Sequence, residues 1–530
     1  MAAAKPDAPA GGPPAAEPPM SSAVGPNAPA GGPNVVVVLA DDMGWGDLGC
    51  YGGKIPTPNI DRLADQGVRL TDCHSASAVC TPSRYALLTG RYAWRGPLKN
   101  FVLMGHGPAI VEPDRPTLAS VLRSAGYATG FFGKWHLGLG WRHMDGSVRD
   151  AFAPGAVLHD DVDTDRGSDI AYDEPFLGGP TELGFDHFFG IAGSLDMPPY
   201  TYLDGDRVAG LPAREKTDLV CEQRPGLVAD GFREDEVDVR FTQEAVRFIS
   251  ETSDAPFLCY LAPSAPHRPN VPPDFIGGRS GLGDRADGVC LVDWAVGELR
   301  AALAERGVLD DTLFIFTSDN GAPLIFTDDG DVTEHAPNGE WRGQKGDLWD
   351  GGHREPFIAR WPGRIPAGDV RDEPVCLTDV LPTVAAAVGA TLPEDAAEDG
   401  LNVLEMLRGT DQAYPVDRPI VHHSLAGRFS IRRGQWKAIF SSGSGGGFSE
   451  PSITSLFKSG SGEAHQSAPW DAGHPEGQLY DVAVDPQETT NLWHDHLDAV
   501  AELYAELQKI CGDESSGLPF NVPVSPSSTT

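Results

Sequence analysis

The residues best suited to chemistry in this 530-residue chain fall into a few short groups. Cys80-Thr81-Pro82-Ser83-Arg84 runs into Tyr85-Ala86-Leu87-Leu88-Thr89-Gly90. Pro82 suits a first helical turn, Ala86 to Leu88 favour helix, and Gly90 is placed to stop it. Cys80 then stands just before a helix N-terminus, where free N–H groups and the helix dipole favour an anion. Arg84, about one turn further on, adds a forked positive charge. A nucleophile and an anion cradle are thus encoded together; the plainer alternative is a buried cysteine ahead of an ordinary helix. Asp41-Asp42 follows one apolar run and Asp319-Asn320 follows another. Each pair alone reads as a cap or a turn. Together they offer four hard oxygen-bearing side chains, which suit Ca2+ or Mg2+ better than a thiophilic metal.

The elements that must position these groups alternate. Asn34 to Ala40 is a continuous β-branched run that reads as a buried parallel strand. Further strands are expected at Ala128 to Phe132, Pro256 to Leu261, Thr312 to Thr317 and Pro356 to Trp361. Helical periodicity lies between them, at Ile60 to Asp65, Leu118 to Ser124, Phe241 to Ser250, Ala286 to Arg306 and Asp379 to Val388. The pattern predicts an α/β fold with a large, mainly parallel sheet flanked by helices. Functional groups then gather at the carboxyl edge of that sheet. After about residue 410 the pattern changes to a hairpin (Phe429 to Arg432, Trp436 to Phe440), a Gly/Ser loop, a strand at Gln478 to Val484 and a helix at Leu497 to Ile510. This is a smaller α+β unit, so the expected organisation is a leader (1–33), a main domain (34–410), a C-terminal α+β subdomain (411–511) and a tail (512–530).

Lys plus Arg number 40 against 76 Asp plus Glu, a formal charge of -36. Nucleic acid and anionic membranes are poor partners for such a chain, and no run approaches transmembrane length. An anionic substrate must be drawn in by a local basic site against the overall field. The eight cysteines show no CxxC pair or zinc spacing, and Cys259 and Cys290 read as packed thiols. The Ala/Pro/Gly leader lacks the charged start and apolar core of a signal peptide, which leaves a cytoplasmic location as the default expectation. Asp161 to Gly167 resembles a calcium loop only superficially, because Tyr172 stands where a bidentate Glu is needed.

Cys-x-Pro-x-Arg with this continuation resembles the signature of the type I sulfatases. Gly133-Lys134-Trp135-His136-Leu137-Gly138, Pro266-His267-Arg268-Pro269, and Arg342-Gly343-Gln344-Lys345-Gly346 leading into Gly351-Gly352-His353-Arg354-Glu355-Pro356 are similar to further segments of that family. The likeness runs from Asn34 to about Asn402, with a looser echo to residue 510. It implies an alkaline phosphatase-like fold and hydrolysis of a small sulfated substrate, a sugar or aryl ester in the manner of arylsulfatases and galactosamine-6-sulfatases. It implies that Cys80 is oxidised to formylglycine by a formylglycine-generating enzyme. It also implies that Asp41, Asp42, Asp319, Asn320 and residue 80 hold Ca2+, with Mg2+ as second candidate. By the same resemblance Lys134 neutralises the sulfate, His136 serves as a base, and His267 protonates the leaving group. Lys345 contacts sulfate and leaving oxygen, Ser194 lines the pocket, and Arg354 is structural. Met197 to Tyr202 and His422-His423 could line the pocket mouth or simply pack. A phosphonate monoester or phosphodiester hydrolase is the alternative within the superfamily; an inactive sulfated-glycan-binding module is the alternative outside enzymes.

Overall fold

The computed structural model describes residues 32–158, 166–220, 223–253, 255–324, 335–410, 412–445 and 477–512. The expected leader (but for its last two residues), the tail beyond Gly512, most of the Asp161–Gly167 segment and the end of the Gly/Ser loop lie outside them. An 11-stranded sheet forms the body. Its centre is five parallel strands in the order Thr312–Ser318, Asn34–Ala40, Phe257–Ala262, Ala128–Lys134 and His187–Ile191. Antiparallel strands Arg354–Arg360 and Val68–His74 extend one edge.

The central strand Asn34–Ala40 explains the layering. Every residue from Val35 to Ala40 has zero exposure, so both faces of the strand must be covered. Val35, Val37 and Leu39 join a core that includes Leu87, Leu118, Leu122, Leu381 and Val384, from helices Cys80–Thr89, Leu118–Ser124 and Val380–Val388. Val36, Val38 and Ala40 join the opposite core, with Phe241, Phe248, Val292 and Leu299 from helices Glu234–Glu251 and Asp284–Glu305. Each such aliphatic side chain contributes about 1.5–3 kcal/mol on burial, so this one strand clamps both helical layers.

Four antiparallel strands, Ile420–His423, Phe429–Arg433, Trp436–Ile439 and Gln478–Asp481, form a second sheet. Helix Leu497–Cys511 packs on it, and the same apolar cluster takes in Ala86 and Trp94 of the main body. The strand expected to reach Val484 stops at Asp481. Among the described residues no helix is long and apolar enough to cross a membrane. Cys259 and Cys290 are buried free thiols.

Several strands were not expected, two of them in the body of the main sheet. Val68–His74 mixes Arg69, Thr71, Asp72 and His74 with its apolar residues, and His187–Ile191 follows a long irregular stretch. Neither carries the uninterrupted apolar run of a central strand. Cys80, expected just ahead of its helix, is instead the first helical residue, with Val79 as N-cap and Gly90 ending the helix at φ 67°.

Close backbone approach fixes the strand that ends in Lys134. Gly133 has φ 131°, and a Cβ there would lie 2.0 Å from the Ala262 carbonyl oxygen on the neighbouring strand. Gly133→Ala is therefore expected to lose at least about 2 kcal/mol of stability, read as a lower midpoint in urea unfolding. An unchanged midpoint would contradict the strand pairing.

Candidate active site

Neighbouring strand ends deliver most of the chemical side chains to one place. Asp41 and Asp42 follow Asn34–Ala40, Asp319 and Asn320 follow Thr312–Ser318, Lys134 ends Ala128–Lys134, and His267 follows Phe257–Ala262. This is the carboxyl edge of the parallel set, where loops diverge and leave room for a ligand. Helix Cys80–Thr89 adds Cys80 and Arg84, and the segment before Arg354–Arg360 adds Lys345. All of them are buried.

Opposite charges meet directly here. Lys134 Nζ lies 2.6 Å from Asp41 Oδ2, and Lys345 Nζ lies 2.6 Å from Asp42 Oδ1. Arg84 binds Asp319 Oδ2 through Nε at 2.9 Å and through a terminal nitrogen at 2.7 Å, and donates to the Lys134 carbonyl at 3.0 Å. Asn320 Nδ2 donates to Asp42 Oδ1 at 2.7 Å. Burial alone would push these carboxyls up. At Asp41 the charges of Lys134, His267, Arg84 and Lys345 outweigh it and hold the group well below its ordinary value. Asp42 is lowered against the same burial, chiefly by Lys345 and His267. At Asp319 burial wins, with Asp41 and Asp42 adding to it, and the carboxyl is raised to about 7. One member of the carboxylate cluster is thus poised to exchange a proton near neutrality.

The two imidazoles have defined faces. His136 Nε2 lies 2.7 Å from the Leu103 carbonyl, so that nitrogen donates and Nδ1 keeps the lone pair; Nδ1 is buried and without a hydrogen bond. Burial, with Lys134 and Arg84 nearby, lowers the His136 pKa well below its ordinary value and keeps the ring neutral. His267 Nδ1 lies 2.6 Å from the Arg268 carbonyl, which leaves Nε2 toward Asp42 Oδ2 at 3.7 Å. Asp42 and His136 are two of only five non-glycine residues with positive φ among the described residues. The other three, Phe101, Ala397 and Glu488, are not among these site residues.

The donor set fits a hard cation. Asp41, Cys80 and Asp319 each bring a ligand atom within 4.8 Å of the others, and so do Asp41, Asp42 and His267. Asp41 Oδ1 and Asn320 Oδ1 are buried acceptors without a hydrogen bond. Two oxygens left unsatisfied in the interior of a carboxylate cluster are what a cation would satisfy.

Of the remaining expected residues, Ser194 is buried with an unpartnered hydroxyl, in the loop whose Ala192 carbonyl accepts from the His136 N–H. Arg354 is engaged elsewhere, with Asp72 at 2.8 Å, Asp350 at 3.0 Å and the face of Trp341. Met197, Tyr200, Tyr202, His422 and His423 are buried.

Three supporting groups had no signal in the sequence. The Leu103 carbonyl sets the His136 tautomer. Asp238, inside helix Glu234–Glu251, accepts the N–H groups of Ser264 and Ala265 at 2.6 and 3.0 Å and so shapes the His267 loop. Arg285 donates to the Asp42 carbonyl at 3.0 Å while pairing with Asp47. Each acts across more than twenty residues of chain through partners that no local pattern reveals.

The sulfatase family model matches residues 33–390. The chain is 32% identical over 521 residues to an N-acetylgalactosamine-6-O-sulfatase of Bacteroides thetaiotaomicron, covering 90% of this chain and 93% of that protein. It is 33% identical over 493 residues to human arylsulfatase A, covering 90% and 86%. A solved structure concerned with the metabolism of multiple glycosaminoglycans by Bacteroides thetaiotaomicron superposes with a TM-score of 0.74 at 30% identity, covering 91% of this chain and 99% of that one.

The Cys80 side chain is 2% exposed, and burial raises the pKa of its thiol against the pull of Lys134 and Lys345. Where residue 80 remains a thiol, alkylation by iodoacetamide at pH 8 should be at least about tenfold slower in the folded protein than in urea. Peptide mass spectrometry at timed quenches checks this; equal rates would place the thiol in solvent.

Proposed function

This chain belongs to the sulfatase family and is a sulfuric ester hydrolase, and on that premise we propose that it removes sulfate from a sulfated carbohydrate, using a formylglycine made from Cys80 and a bound Ca2+. The observation that carries the reading is the pairing of three buried cations, Arg84, Lys134 and Lys345, with a carboxylate cluster that still holds two unsatisfied oxygens beside Cys80. A carbohydrate substrate is favoured because the relatives at about a third identity include a sugar sulfatase, and a structural neighbour concerns glycosaminoglycan metabolism.

Asp41, Asp42, Asp319 and Asn320 would hold the calcium, with residue 80 completing the set. The formylglycine supplies a hydrated aldehyde as nucleophile, and calcium supplies positive charge for the sulfate oxygens. The chain's own groups do the rest. Lys134, Lys345 and Arg84 form a fixed positive wall for a transferring group whose charge grows on its oxygens. Because they are already paired and buried, little reorganisation is needed when an anion arrives. Asp319, whose ligand atom shares one cluster with those of residue 80 and Asp41, would take a proton from the hydroxyl at position 80. His136 is neutral with a bare Nδ1, the form required to accept the second proton at that position. Lys345 Nζ, directed at Asp42, is the donor available to the departing sugar oxygen, whereas His267 Nε2 would donate only from the imidazolium, because its Nδ1 proton is held by the Arg268 carbonyl.

Mass spectrometry of the tryptic peptide Leu70–Arg84, on protein co-expressed with a formylglycine-generating enzyme, should show conversion of the Cys80 thiol to the aldehyde or its hydrate. The converted protein should hydrolyse N-acetylgalactosamine 6-sulfate faster than an aryl sulfate. Cys80→Ala should fold normally and lose about a thousandfold or more in turnover. EGTA should abolish activity and Ca2+ restore it. Unreduced turnover in Cys80→Ala would sink the mechanism, whereas hydrolysis of aryl esters alone would sink only the carbohydrate assignment.

A further inference from the structure

A second polar cluster lies behind the loop that leads to Cys80. His74 ends strand Val68–His74, His353 immediately precedes strand Arg354–Arg360, and His422 lies in strand Ile420–His423 of the smaller sheet. All three side chains have zero exposure, and a ring nitrogen of each lies within 4.8 Å of the others. The His353 and His422 rings stack with centroids 3.8 Å apart, and the His74 ring is 5.1 Å from each.

The outer nitrogens fix the tautomers. His74 Nε2 lies 2.8 Å from Asp72 Oδ1, His353 Nε2 lies 3.0 Å from the Leu348 carbonyl, and His422 Nδ1 lies 3.1 Å from the Ser75 carbonyl. Where these carbonyl and carboxylate oxygens accept, each of these nitrogens carries the single proton of a neutral ring; Arg432 and Lys437 also stand 3.2 Å from His74 Nε2 and His353 Nε2, respectively. The lone pairs then sit on His74 Nδ1, His353 Nδ1 and His422 Nε2. The first two face each other at 3.0 Å, two acceptors with no hydrogen between them. The third is buried without a partner. Burial lowers the pKa of all three rings, so a proton is a costly way to fill the gap.

We propose that His74, His353 and His422 bind a divalent transition metal of the zinc class, through Nδ1 of the first two and Nε2 of the third. An imidazole whose far N–H is held by a carboxylate or carbonyl is the usual arrangement of a metal-bound histidine. Three imidazole nitrogens select zinc-like ions over calcium or magnesium. Two nitrogens at about 2.0 Å from a tetrahedral ion stand about 3.3 Å apart, close to the 3.0 Å between the facing Nδ1 atoms. Entry of the ion requires the stacked His353 and His422 rings to turn toward it. The surrounding charges are already matched: Asp72 with Arg354 and Arg432, and Asp350 and Glu488 with Lys437. The ligands come from three separate parts of the chain, so the ion fastens the smaller sheet to the main body directly beneath the Cys80 loop.

A metal-free arrangement is also built in, and the test must separate the two. Lys437 Nζ lies 3.2 Å from His353 Nε2. If that nitrogen accepts from the lysine, His353 turns its proton inward to His74 and no ion is needed. Full-length protein folded with excess zinc and then desalted should retain about one zinc per chain by elemental analysis, and His422→Gln should retain less than about a tenth of that. Cobalt in place of zinc should give the intense visible bands of a tetrahedral nitrogen site, which oxygen ligation at the carboxylate cluster does not give. Loss of zinc from the wild type on desalting, or undiminished zinc in His422→Gln, would overturn the assignment. If His422→Gln does not fold, the cobalt spectrum of the wild type decides: intense bands uphold the site and weak six-coordinate bands refute it.

Discussion

The burial of matched charge at the end of the parallel strands is the constraint on which the rest of this structure depends. Asp41, Asp42 and Asp319 would each be expensive to ionise in the interior alone, and so would Arg84, Lys134 and Lys345 to bury. Brought together at 2.6 to 2.9 Å they become mutually tolerable. Removing one member leaves an uncompensated charge, a loss of about 3–5 kcal/mol in such settings. The scaffold must therefore hold several strand ends and one helix in a single fixed relation. The doubly covered strand Asn34–Ala40, with helices fastened to both faces, provides that rigidity.

The same charge balance differentiates the carboxyls chemically. Asp41 and Asp42 sit against cations and stay ionised, whereas Asp319, sharing Arg84 with a crowded acidic neighbourhood, is raised to about 7. Identical side chains separated by a few ångströms are thus held at different acidities by their surroundings. His136 follows the same rule, since the Leu103 carbonyl occupies one nitrogen and burial bares the other.

Much of this was legible in the sequence because the groups with direct chemistry sit in contiguous segments at element ends. The Val-rich run before Asp41, the Pro82-to-Gly90 helix and the Gly133–Gly138 segment each announce their own local structure. The unread parts depend on distant partners. Strand Val68–His74 looks polar because Asp72 and His74 are answered by Arg354, Arg432 and His353, residues supplied hundreds of positions later. Asp238 looks like any acid on an amphipathic helix until the Ser264 and Ala265 N–H groups reach it. His422 looked equally suited to a pocket mouth or to packing, and only the tertiary structure shows it enclosed with two other imidazoles. Periodicity reports what a residue's own element needs, not what a remote element brings.

The seating of the Cys80 loop has a consequence for the order of events in the life of the chain. The Ala78 N–H and the Ser77 hydroxyl both donate to the carbonyl of His423, contributed by the smaller sheet from nearly 350 residues further on. With those bonds made, residue 80 is 2% exposed, which leaves little of its side chain for a second macromolecule to reach. Any enzyme that remodels the thiol therefore has a window that opens when the Cys80 segment is synthesised and shuts when strand Ile420–His423 docks. Under the proposed oxidation of Cys80, the length of chain between Cys80 and that strand would set how long the thiol stays accessible during synthesis.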